Sequence, residues 1–483
     1  MNMKEYQMYI DGEFVEGENK KYSDVINPST DELISRVPAA TVNDVKKAID
    51  AAGRAQDEWE ALPAVERGKY LKAIANKIRE NVDEIAHVIS EEIGKTKELS
   101  TVEVNFTADY IDYMAEWARR YEGEIIQSDR PYEQIFVFKK AIGVTTGILP
   151  WNFPFFLIAR KMAPALITGN TIVVKPSEES PNNAVLFARL VDEIDLPKGV
   201  FNLVTGSGSE LGEELSSNPK VGLVSLTGSV AAGHKVMEAA SKNITKVNLE
   251  LGGKAPAIVL KDANLDLAVK SIVQSRVINT GQVCNCAERI YVQEEVKEEF
   301  TEKFVEAMKK VTYGNPLESE GIDMGPLITK KAQENVKAKV DRAVEEGAQL
   351  LSGGNIVEGK GNFFEPTVLT DVTNDMNIMQ EEVFGPVAPI ATFKTIDEAI
   401  GLANDSEYGL TSSVYTENIN KAMKIVAKLK FGETYINREN FEAMQGFHAG
   451  ARKSGIGGAD GKHGMEEYLQ THVVYLEYDN EVQ

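Results

Sequence analysis

Three residues of the sequence, Cys284, Glu250 and Asn152, have side chains suited to chemistry on a carbonyl carbon. Cys284 follows a glycine-containing turn, where an exposed backbone N–H can stabilise a thiolate. Glu250 ends an apolar run before two glycines, so we expect its carboxylate at the mouth of a cleft, with the raised pKa of a general base. Asn152 lies between two prolines, and a fixed amide N–H can stabilise an oxyanion. Taken singly, these residues also fit a buried thiol, a solvated strand-end glutamate and a tight aromatic turn.

Two further segments have the composition of a dinucleotide cleft. Lys175-Pro176-Ser177-Glu178 follows a predicted strand, and its lysine and glutamate could hydrogen-bond a ribose. Thr227-Gly228-Ser229 follows another strand, and its small residues would let a pyrophosphate approach a helix N-terminus. The structural alternatives are a solvated turn and a close-packed strand–helix turn. The glycine-rich segment Gly206–Gly212 has one residue too many for the dinucleotide fingerprint, and we interpret it as a structural turn.

The elements that must position these residues follow an alternating pattern. Thr41 to Tyr121 is predicted to be mostly helical, because apolar residues recur at helical spacing. From Ala141, short apolar strands alternate with helices, which predicts a doubly wound parallel sheet. A second alternation of helices and strands begins near Leu267. Ligands of such sheets lie beyond the carboxyl ends of the strands. The candidate segments described above follow predicted strands, so we expect them at this edge of the sheet.

The composition argues against several classes of partner. The chain has 52 Lys and Arg against 74 Asp and Glu, a formal net charge of −22, so neither nucleic acid nor an anionic membrane is an expected partner. No signal-peptide pattern and no membrane-spanning run is evident. The two cysteines, Cys284 and Cys286, provide no disulfide framework, and these features together predict a cytoplasmic protein. Cys286 is interpreted as a packing residue, and no metal site is predicted because no histidine lies nearby in sequence.

Taken together, the motifs resemble those of the aldehyde dehydrogenase superfamily along essentially the whole chain. Glu250 precedes Cys284 by 34 residues, as in that family, and Glu381–Val387 is similar to a further family motif. The resemblance implies an NAD-dependent enzyme that oxidises an aldehyde to a carboxylic acid. Cys284 would be the nucleophile that forms a thioester, Asn152 with the Cys284 N–H would form the oxyanion hole, and Glu250 would activate the hydrolytic water.

The resemblance also implies the contacts of the cofactor. Lys175 and Glu178 would bind the adenosine ribose, Ser229 would touch the pyrophosphate, and Glu382 with Phe384 would hold the nicotinamide ribose and ring. The negative charge of Glu178 would repel a 2′-phosphate, which predicts NAD rather than NADP. The complete set of expected cofactor-binding residues is Trp151, Lys175, Ser177, Glu178, Gly228, Ser229, Glu382 and Phe384.

Two stretches, one of them Tyr435–Gly450, are similar to the bacterial lactaldehyde dehydrogenase branch of the family, whose members also take glycolaldehyde. That branch has an aromatic residue after His-Ala-Gly, where this sequence has Ala451. Arg160, Glu442 and His448 are polar where family substrate tunnels are often apolar, and they could hydrogen-bond the hydroxyl of a small hydroxyaldehyde. Alternatively, Arg160 pairs with an acidic neighbour while the other two are solvated loop residues.

The predicted fold class is α/β, with a Rossmann-like NAD-binding domain, a second α/β catalytic domain and a small β extension for oligomerisation. Residues 1–119 and 141–251 are expected to form the NAD-binding domain and residues 252–452 the catalytic domain. Residues 120–140 and 453–483 are the expected oligomerisation segments. In the family such strands extend a neighbour's sheet, which implies a homodimer or homotetramer.

Two other functions fit parts of the pattern. The first is a CoA-acylating semialdehyde dehydrogenase, in which CoA rather than water takes the acyl group. Glu250 argues against it, because a hydrolytic base would be counterproductive there. The second is a catalytically silent binding or structural protein on the same fold, against which the intact set of Cys284, Glu250 and Asn152 argues.

Overall fold

The computed structural model describes residues 4–479. Residues 1–3, at the start of the predicted NAD-binding segment 1–119, and residues 480–483, at the end of the predicted oligomerisation segment 453–483, lie outside the described residues. No helix between residues 4 and 479 is both long and apolar enough to cross a membrane.

The α-helices of this range are α1 (Val42–Ala61), α2 (Ala64–Glu80), α3 (Val82–Ile93), α4 (Lys97–Ala115), α5 (Pro154–Ile167), α6 (Asn182–Asp192), α7 (Gly208–Ser217), α8 (Val230–Ala240), α9 (Leu265–Val277), α10 (Lys297–Lys309), α11 (Lys330–Glu345), α12 (Asn377–Gln380), α13 (Ile396–Asn404), α14 (Ile419–Val426) and α15 (Gly461–Glu466). The strands are β1 (Lys4–Glu5), β2 (Met8–Ile10), β3 (Glu13–Val15), β4 (Tyr22–Ile26), β5 (Leu33–Pro38), β6 (Glu124–Gln127), β7 (Glu133–Ala141), β8 (Val144–Ile148), β9 (Thr171–Lys175), β10 (Phe201–Leu203), β11 (Val221–Thr227), β12 (Lys246–Glu250), β13 (Ala255–Val259), β14 (Ala287–Gln293), β15 (Gln349–Ser352), β16 (Thr367–Thr370), β17 (Val387–Phe393), β18 (Thr411–Tyr415), β19 (Glu433–Ile436), β20 (Gly455–Ile456) and β21 (Leu469–Glu477).

The first large sheet has eight strands in the order β20-β12-β11-β8-β9-β10-β2-β3. The strands β12, β11, β8, β9 and β10 run parallel, whereas β20, β2 and β3 are antiparallel to their neighbours. In chain order the parallel strands are arranged 3-2-1-4-5, the order of a doubly wound nucleotide-binding sheet. The predicted Rossmann-like α/β fold is therefore confirmed.

Strand β9 shows why these segments form a central sheet. All of its residues are buried. Ile172 and Val174 pack into the core that contains α2 to α6, whereas Val173 packs on the opposite face with α1, α7 and α8. Because successive side chains of a strand point to opposite faces, the middle of a strand that is covered by helices on both sides is a continuous apolar run, as in Ile172, Val173 and Val174.

The register of the first sheet aligns the ends of its strands. Thr227 lies opposite Glu250, Leu226 lies opposite Ile148, and Ile148 lies opposite Lys175. The loops that leave β8, β9, β11 and β12 therefore start side by side at the carboxyl edge, as expected for a ligand site of a parallel sheet.

The second large sheet has seven strands in the order β15-β16-β17-β14-β13-β18-β19. All but β15 are parallel to their neighbours. The chain passes from the first sheet to the second through Gly252 and Gly253. A Cβ on Gly253 would lie 2.1 Å from the carbonyl oxygen of Cys284, so glycine at this position lets the loop before β14 approach the edge of the first sheet.

A separate antiparallel ribbon of β21, β7 and β6 stands apart from both large sheets. Residues of β7 pair with β21 from Ala141 opposite Leu469 to Glu133 opposite Glu477, so segments distant in sequence meet here. Strand β20 does not join this ribbon but pairs with β12 at the edge of the first sheet.

A buried ion pair fixes the start of α5, the helix that enters the site. Lys95 and Glu103 are completely buried and bonded to each other. The Glu103 carboxylate also accepts the N–H groups of Phe155 at 3.0 Å and Phe156 at 3.1 Å. These donors are unpaired at any helix N-terminus, so the carboxylate both caps α5 and neutralises the lysine.

We predict that Glu103→Gln lowers the free energy of unfolding by about 3–5 kcal/mol, because it leaves the Lys95 ammonium buried without a counter-charge. The matched control is Asp24→Asn, which removes the exposed partner of Arg36 and should cost less than about 1 kcal/mol. Urea unfolding of the three proteins measures the difference. Equal effects of the two substitutions would contradict the assigned role of the buried pair.

Candidate active site

The loop that carries Cys284 has an unusual backbone. Asn279 and Thr280 adopt left-handed φ angles of 46° and 59°, and Gly281 follows at 73°. Non-glycine residues rarely adopt this region, and such strain is common at functional sites. A Cβ on Gly281 would lie 2.3 Å from the carbonyl oxygen of Gly385. The turn therefore packs directly against the Glu381–Val387 segment.

Cys284 is half-buried and faces an internal cavity. Within residues 4–479 no acceptor is found for its backbone N–H, so that donor is available to an oxyanion. Burial raises the pKa of the Cys284 thiol, and a hydrogen bond with His448 acts in the opposite direction. Cys286 is buried, with its thiol 2.9 Å from the Val283 carbonyl oxygen.

Asn152 is brought to the same cavity by the turn between β8 and α5. Its side-chain amide nitrogen donates to the backbone carbonyl of Gln282 at 3.0 Å, and its backbone carbonyl accepts a hydrogen bond from the side-chain amide of Asn279 at 3.2 Å. A primary amide has two N–H donors, so one remains for the cavity. The amide is therefore fixed to the turn that carries Cys284, as an oxyanion donor must be.

Glu250 ends β12 and is almost completely buried. Its carboxylate accepts hydrogen bonds from Lys161 at 3.0 Å and from Thr227 at 2.9 Å, and lies 3.7 Å from a nitrogen of Arg160. Although burial raises the pKa of the carboxyl group, Lys161 and Arg160 outweigh it and lower the pKa to about 2. The expectation of a raised pKa is wrong, because the sequence did not reveal the cations that face this carboxylate.

Arg160 is buried and shared among three carboxylates. Its Nε and Nη2 bond to Asp460 at 3.0 and 2.6 Å, and Nη2 also bonds to Glu442 at 2.8 Å. Its Nη1 is 3.7 Å from Glu250, and no hydrogen bond of Nη1 is found within residues 4–479. The alternative in which Arg160 pairs with acidic neighbours therefore describes its contacts, although Nη1 meets Glu250 only as an ion pair, at 3.7 Å and without a hydrogen bond.

Glu442 and His448 are not solvated. The Glu442 carboxylate receives a hydrogen bond from Asn285 at 2.5 Å in addition to that from Arg160. The imidazole of His448 is buried, and its Nδ1 lies 2.5 Å from a carboxylate oxygen of Glu433. Glu442 belongs to the cavity wall, whereas His448 is not among the lining residues.

The cavity itself is small and has one apolar and one polar side. Phe106, Phe156 and Phe441 form an aromatic cluster on its wall, with ring centroids 4.9 and 5.9 Å apart. Its volume is about 50 Å³. One water molecule needs about 10–15 Å³ of such space, so the cavity accommodates a ligand of only a few heavy atoms.

A cleft next to Cys284 is bordered by two of the predicted cofactor residues. The rings of Trp151 and Phe384 meet edge-to-face at 5.6 Å, and both line the cleft. Glu382 accepts the Gly253 N–H at 2.8 Å; burial and the nearby Glu288 raise its pKa to about 7.

Glu288 anchors the segment that carries Glu382 and Phe384. Its carboxylate accepts the N–H groups of Val383 at 2.9 Å and Phe384 at 2.9 Å, and receives a hydrogen bond from Lys254 at 2.7 Å. Arg276 lies 3.5 Å from the same carboxylate and donates to the Gly281 carbonyl at 2.6 Å. This buried network therefore couples the turn before Cys284 to the cofactor-side segment.

The remaining predicted cofactor residues lie along the carboxyl edge of the first sheet. Glu178 accepts the Gly208 N–H at 2.9 Å, and Lys175 is buried, with its pKa lowered to about 8 by burial. Ser177 accepts the Glu179 N–H at 3.3 Å. At the next strand end, Ser229 caps α8, and Gly228 precedes it.

A second cleft lies between α7 and α8, with a volume of about 520 Å³. Its wall includes Gly208, Ser229, Ala231 and Ala232. Gly208 belongs to the glycine-rich segment interpreted from sequence as a structural turn; the structure places it at the start of α7, facing this cleft.

Several residues of the site were not predicted from the sequence. Lys161 could have been found from the sequence, because two adjacent cations in an apolar helix must face buried acids. Thr227 directly precedes the Gly228-Ser229 segment, and Asn285 directly follows Cys284. Asp460 and Glu433 had no local signal, because only the fold brings them to Arg160 and His448. Among residues 4–479, no group of His, Cys, Asp and Glu has the arrangement of a metal site.

Comparisons with known proteins agree with this architecture. The model of the aldehyde dehydrogenase family matches residues 14–474. Lactaldehyde dehydrogenase of Escherichia coli (strain K12) is 66% identical over 473 residues, which are 98% of this chain and 99% of that protein. The crystal structure of lactaldehyde dehydrogenase from Escherichia coli has a TM-score of 0.98 at 66% identity, covering 99% of this chain and 100% of that chain. Betaine aldehyde dehydrogenase from Staphylococcus aureus in complex with NAD+ has a TM-score of 0.96 at 39% identity, covering 99% and 96% of the two chains. The chain therefore belongs to the aldehyde dehydrogenase family.

Proposed function

We propose that this protein oxidises a small hydroxyaldehyde, lactaldehyde or glycolaldehyde, to the carboxylic acid with NAD, through a thioester on Cys284. The observation that carries the proposal is the cavity of about 50 Å³ whose wall contains Cys284, Asn152, Glu250 and Arg160. These residues supply a nucleophile, an oxyanion donor, a carboxylate and a cation within reach of a ligand of a few atoms. The similarity to the Escherichia coli enzyme supports the choice of substrate.

Acylation begins at the sulfur of Cys284. The thiolate adds to the aldehyde carbon, and the negative charge that develops on oxygen is stabilised by the Cys284 N–H and the free N–H of Asn152. Bound NAD supplies the acceptor for the hydride that leaves this carbon. The aromatic walls at Phe106, Phe156 and Phe441 limit water in the cavity, which strengthens these interactions.

The residues present fit NAD. The cleft between α7 and α8 offers small residues and an open volume, and Ser229 presents the N-terminus of α8, which favours a phosphate. Lys175 and Glu178 would hold the adenosine ribose, and Trp151, Glu382 and Phe384 would border the nicotinamide side. We infer a preference for NAD over NADP, because the carboxylate of Glu178 repels a 2′-phosphate.

Hydrolysis of the thioester requires a second side-chain conformation of Glu250. A carboxylate with a pKa of about 2 is a weak base, since efficient proton transfer needs a pKa nearer the working pH. We infer that Glu250 turns from Lys161 towards the thioester, which moves its pKa back towards the ordinary range. There it accepts a proton from the water that attacks the thioester. Hydrolysis releases the carboxylic acid and leaves Cys284 as a thiolate.

The unbonded arm of Arg160 accounts for the choice of a hydroxyaldehyde. Its Nη1 lies 3.7 Å from Glu250 at the cavity wall, and no hydrogen bond of this nitrogen is found among the described residues, so it can still donate to a ligand. A substrate hydroxyl next to the carbonyl would provide that acceptor. Glu442 lies on the same wall, and a role of His448 at the substrate hydroxyl stays a prediction.

The competing functions are less well supported. A CoA-acylating enzyme has no need of Glu250 as a hydrolytic base, and the Escherichia coli relative is a lactaldehyde dehydrogenase. A silent binding protein would have no reason to keep Cys284, Asn152 and Glu250 on one cavity wall.

We also propose how the chain divides and assembles. Residues 1–119 and 141–251 would form the NAD-binding domain and residues 252–452 the catalytic domain, with the ribbon of β6, β7 and β21 for oligomerisation. Both faces of the ribbon carry apolar side chains: by the strand register, Ile126, Ile135, Val137, Val473 and Tyr475 share one face, and Ile125, Phe136, Phe138, Val474 and Leu476 share the other. Ile125 is 71% exposed and Tyr475 66%, and apolar patches of this kind mark interfaces.

The assembly predicts a particle larger than one chain. Light scattering at micromolar concentration should give a multiple of 53.1 kDa, and Ile125→Lys should reduce the mass by placing a charge in the interface. Asp24→Asn, which changes an exposed charge outside the ribbon, is the control. A wild-type mass of a single chain would rule out the proposed assembly.

Glu250→Gln separates the two half-reactions. The variant should still form one NADH per active site in a rapid burst and then stall, because glutamine cannot accept the proton of the hydrolytic water. Stopped-flow NADH absorbance measures burst and turnover together. Normal steady-state turnover would assign the base to another residue.

The ion pair of Glu250 predicts a pH dependence. Lys161→Met removes the cation that most lowers the pKa of Glu250, so the carboxylate keeps its proton to higher pH, by about 1–3 units. The acidic limb of the turnover profile should therefore move to higher pH, whereas Lys161→Arg should leave it near the wild-type position. Coinciding profiles of wild type and Lys161→Met would show that this pair does not control the base.

The substitution Arg160→Lys tests whether Arg160 recognises the substrate hydroxyl. Lysine keeps a positive charge near Asp460, whereas leucine would leave three buried carboxylates without a counter-charge. A hydrogen bond to a charged group contributes about 1.5–3 kcal/mol, so kcat/KM for lactaldehyde should fall roughly 10- to 100-fold. Propionaldehyde, which lacks the hydroxyl, should be affected much less. Equal losses on both substrates would make Arg160 a structural residue.

A further inference from the structure

The segment that carries Phe384 is held by a buried side chain. The backbone N–H groups of Val383 and Phe384 both donate to the carboxylate of Glu288, at 2.9 Å each. We propose that Glu288 is a positioning residue for hydride transfer, which holds the Phe384 ring on the wall of the cleft next to Cys284. This inference rests on the proposed function, in which that cleft receives the nicotinamide.

The backbone of this segment needs an external constraint. It lies between the end of α12 at Gln380 and the start of β17 at Val387, so neither element fixes it. Phe384 adopts a left-handed φ of 55°, which is costly for a residue other than glycine and persists only where the surroundings impose it. Successive N–H groups of a turn form a concave anion site, and the Glu288 carboxylate occupies this one.

Glu288 is itself fixed on a rigid element. It lies in β14, which is flanked by β17 and β13 in the second sheet. Its carboxylate receives a hydrogen bond from Lys254 at 2.7 Å and lies 3.5 Å from Arg276. Although burial raises the pKa of Glu288, these two cations outweigh it and lower the pKa. The turn is therefore held by an anion, which accepts N–H groups more strongly than a neutral acceptor does.

The position of the Phe384 ring follows from this backbone. The ring meets that of Trp151 edge-to-face at 5.6 Å, and both rings line the cleft together with Gln282. Hydride transfer needs the reacting atoms about 3–3.5 Å apart and aligned. A displaced ring would change the wall against which the nicotinamide packs, and the rate of transfer would fall.

The turn that carries Cys284 has anchors of its own. Arg276 donates to the Gly281 carbonyl at 2.6 Å, and Asn152 donates to the next carbonyl along the chain at 3.0 Å. Neither of these hydrogen bonds uses Glu288. Loss of the Glu288 carboxylate should therefore displace the cofactor-side segment and leave the thiol in place, whereas a general loss of structure would disturb both.

The test compares Glu288→Asp and Glu288→Gln with the wild type. Aspartate keeps the charge opposite Lys254 and Arg276 but shortens the reach, and glutamine keeps the reach but removes the charge. At saturating NAD, the stopped-flow burst of NADH with lactaldehyde should slow roughly 10- to 100-fold in both, since a misplacement of about 1 Å can cost about 10²-fold. Deuterium on the aldehyde carbon should slow the variant burst further, which identifies hydride transfer as the affected step.

Two measurements without the nicotinamide show whether the rest of the site is intact. The first is the affinity for AMP, which carries the adenosine ribose alone. The second is the rate at which iodoacetamide alkylates Cys284 in the cofactor-free protein; Cys286, the other cysteine of the sequence, is 1% exposed. Both should match the wild type in Glu288→Asp. Glu295→Gln, which removes the exposed partner of Lys261, is the control and should match the wild type throughout.

An unchanged burst in Glu288→Asp would overturn the inference. So would AMP affinity and alkylation that fall in step with the burst, because Glu288 would then support the fold in general. Glu288→Asp decides if the loss of charge unfolds Glu288→Gln. The proposed function fails on a different result, in which the wild type forms no NADH from lactaldehyde or Cys284→Ser still turns over the aldehyde. The two failures are therefore distinguishable.

Discussion

The site depends on one buried guanidinium, that of Arg160, and on the requirement that a buried charge be paired. Its carboxylate partners come from three separate parts of the chain: Glu250 ends a strand of the first sheet, Glu442 lies in a loop after the second sheet, and Asp460 precedes the short helix α15. Removing one member of such a cluster leaves an uncompensated charge. The cavity therefore exists only when the two sheets and the C-terminal segment are assembled together.

A steric constraint adds to this electrostatic one. Gly253 lets the carbonyl of Cys284 approach the edge of the first sheet, and Gly281 lets the strained turn pack against the Glu381–Val387 segment. Glu288 then ties that segment to the same turn through hydrogen bonds to Val383 and Phe384. Nucleophile and cofactor-side cleft are thus parts of one rigid assembly, which is how a loop can achieve the positional accuracy that catalysis needs.

Much of the fold was predictable from the sequence, because short apolar strands and amphipathic helices are local patterns. The strand ends that carry Asn152, Lys175, Ser229 and Glu250 follow directly from that alternation. What could not be predicted depends on contacts between distant segments. The lowered pKa of Glu250 requires knowing that Lys161, 89 positions away in sequence, faces it.

The same reason explains the other gaps. Glu433 and Asp460 are ordinary acidic residues in sequence, and only the fold places them beside His448 and Arg160. The left-handed backbone at Asn279 and Thr280 had no local signal either, since neither residue is glycine. Sequence thus identified the reacting groups, whereas the groups that set their protonation became visible only in three dimensions.

The most direct test of the central claim is to trap the covalent intermediate. Glu250→Gln protein is mixed with lactaldehyde and NAD, quenched in acid, digested and analysed by peptide mass spectrometry. The account predicts a lactoyl group on the peptide that contains Cys284 and Cys286, assigned to Cys284 by fragmentation and absent when NAD is omitted. An acyl group on another residue, or unmodified Cys284 after a full burst of NADH, would contradict it.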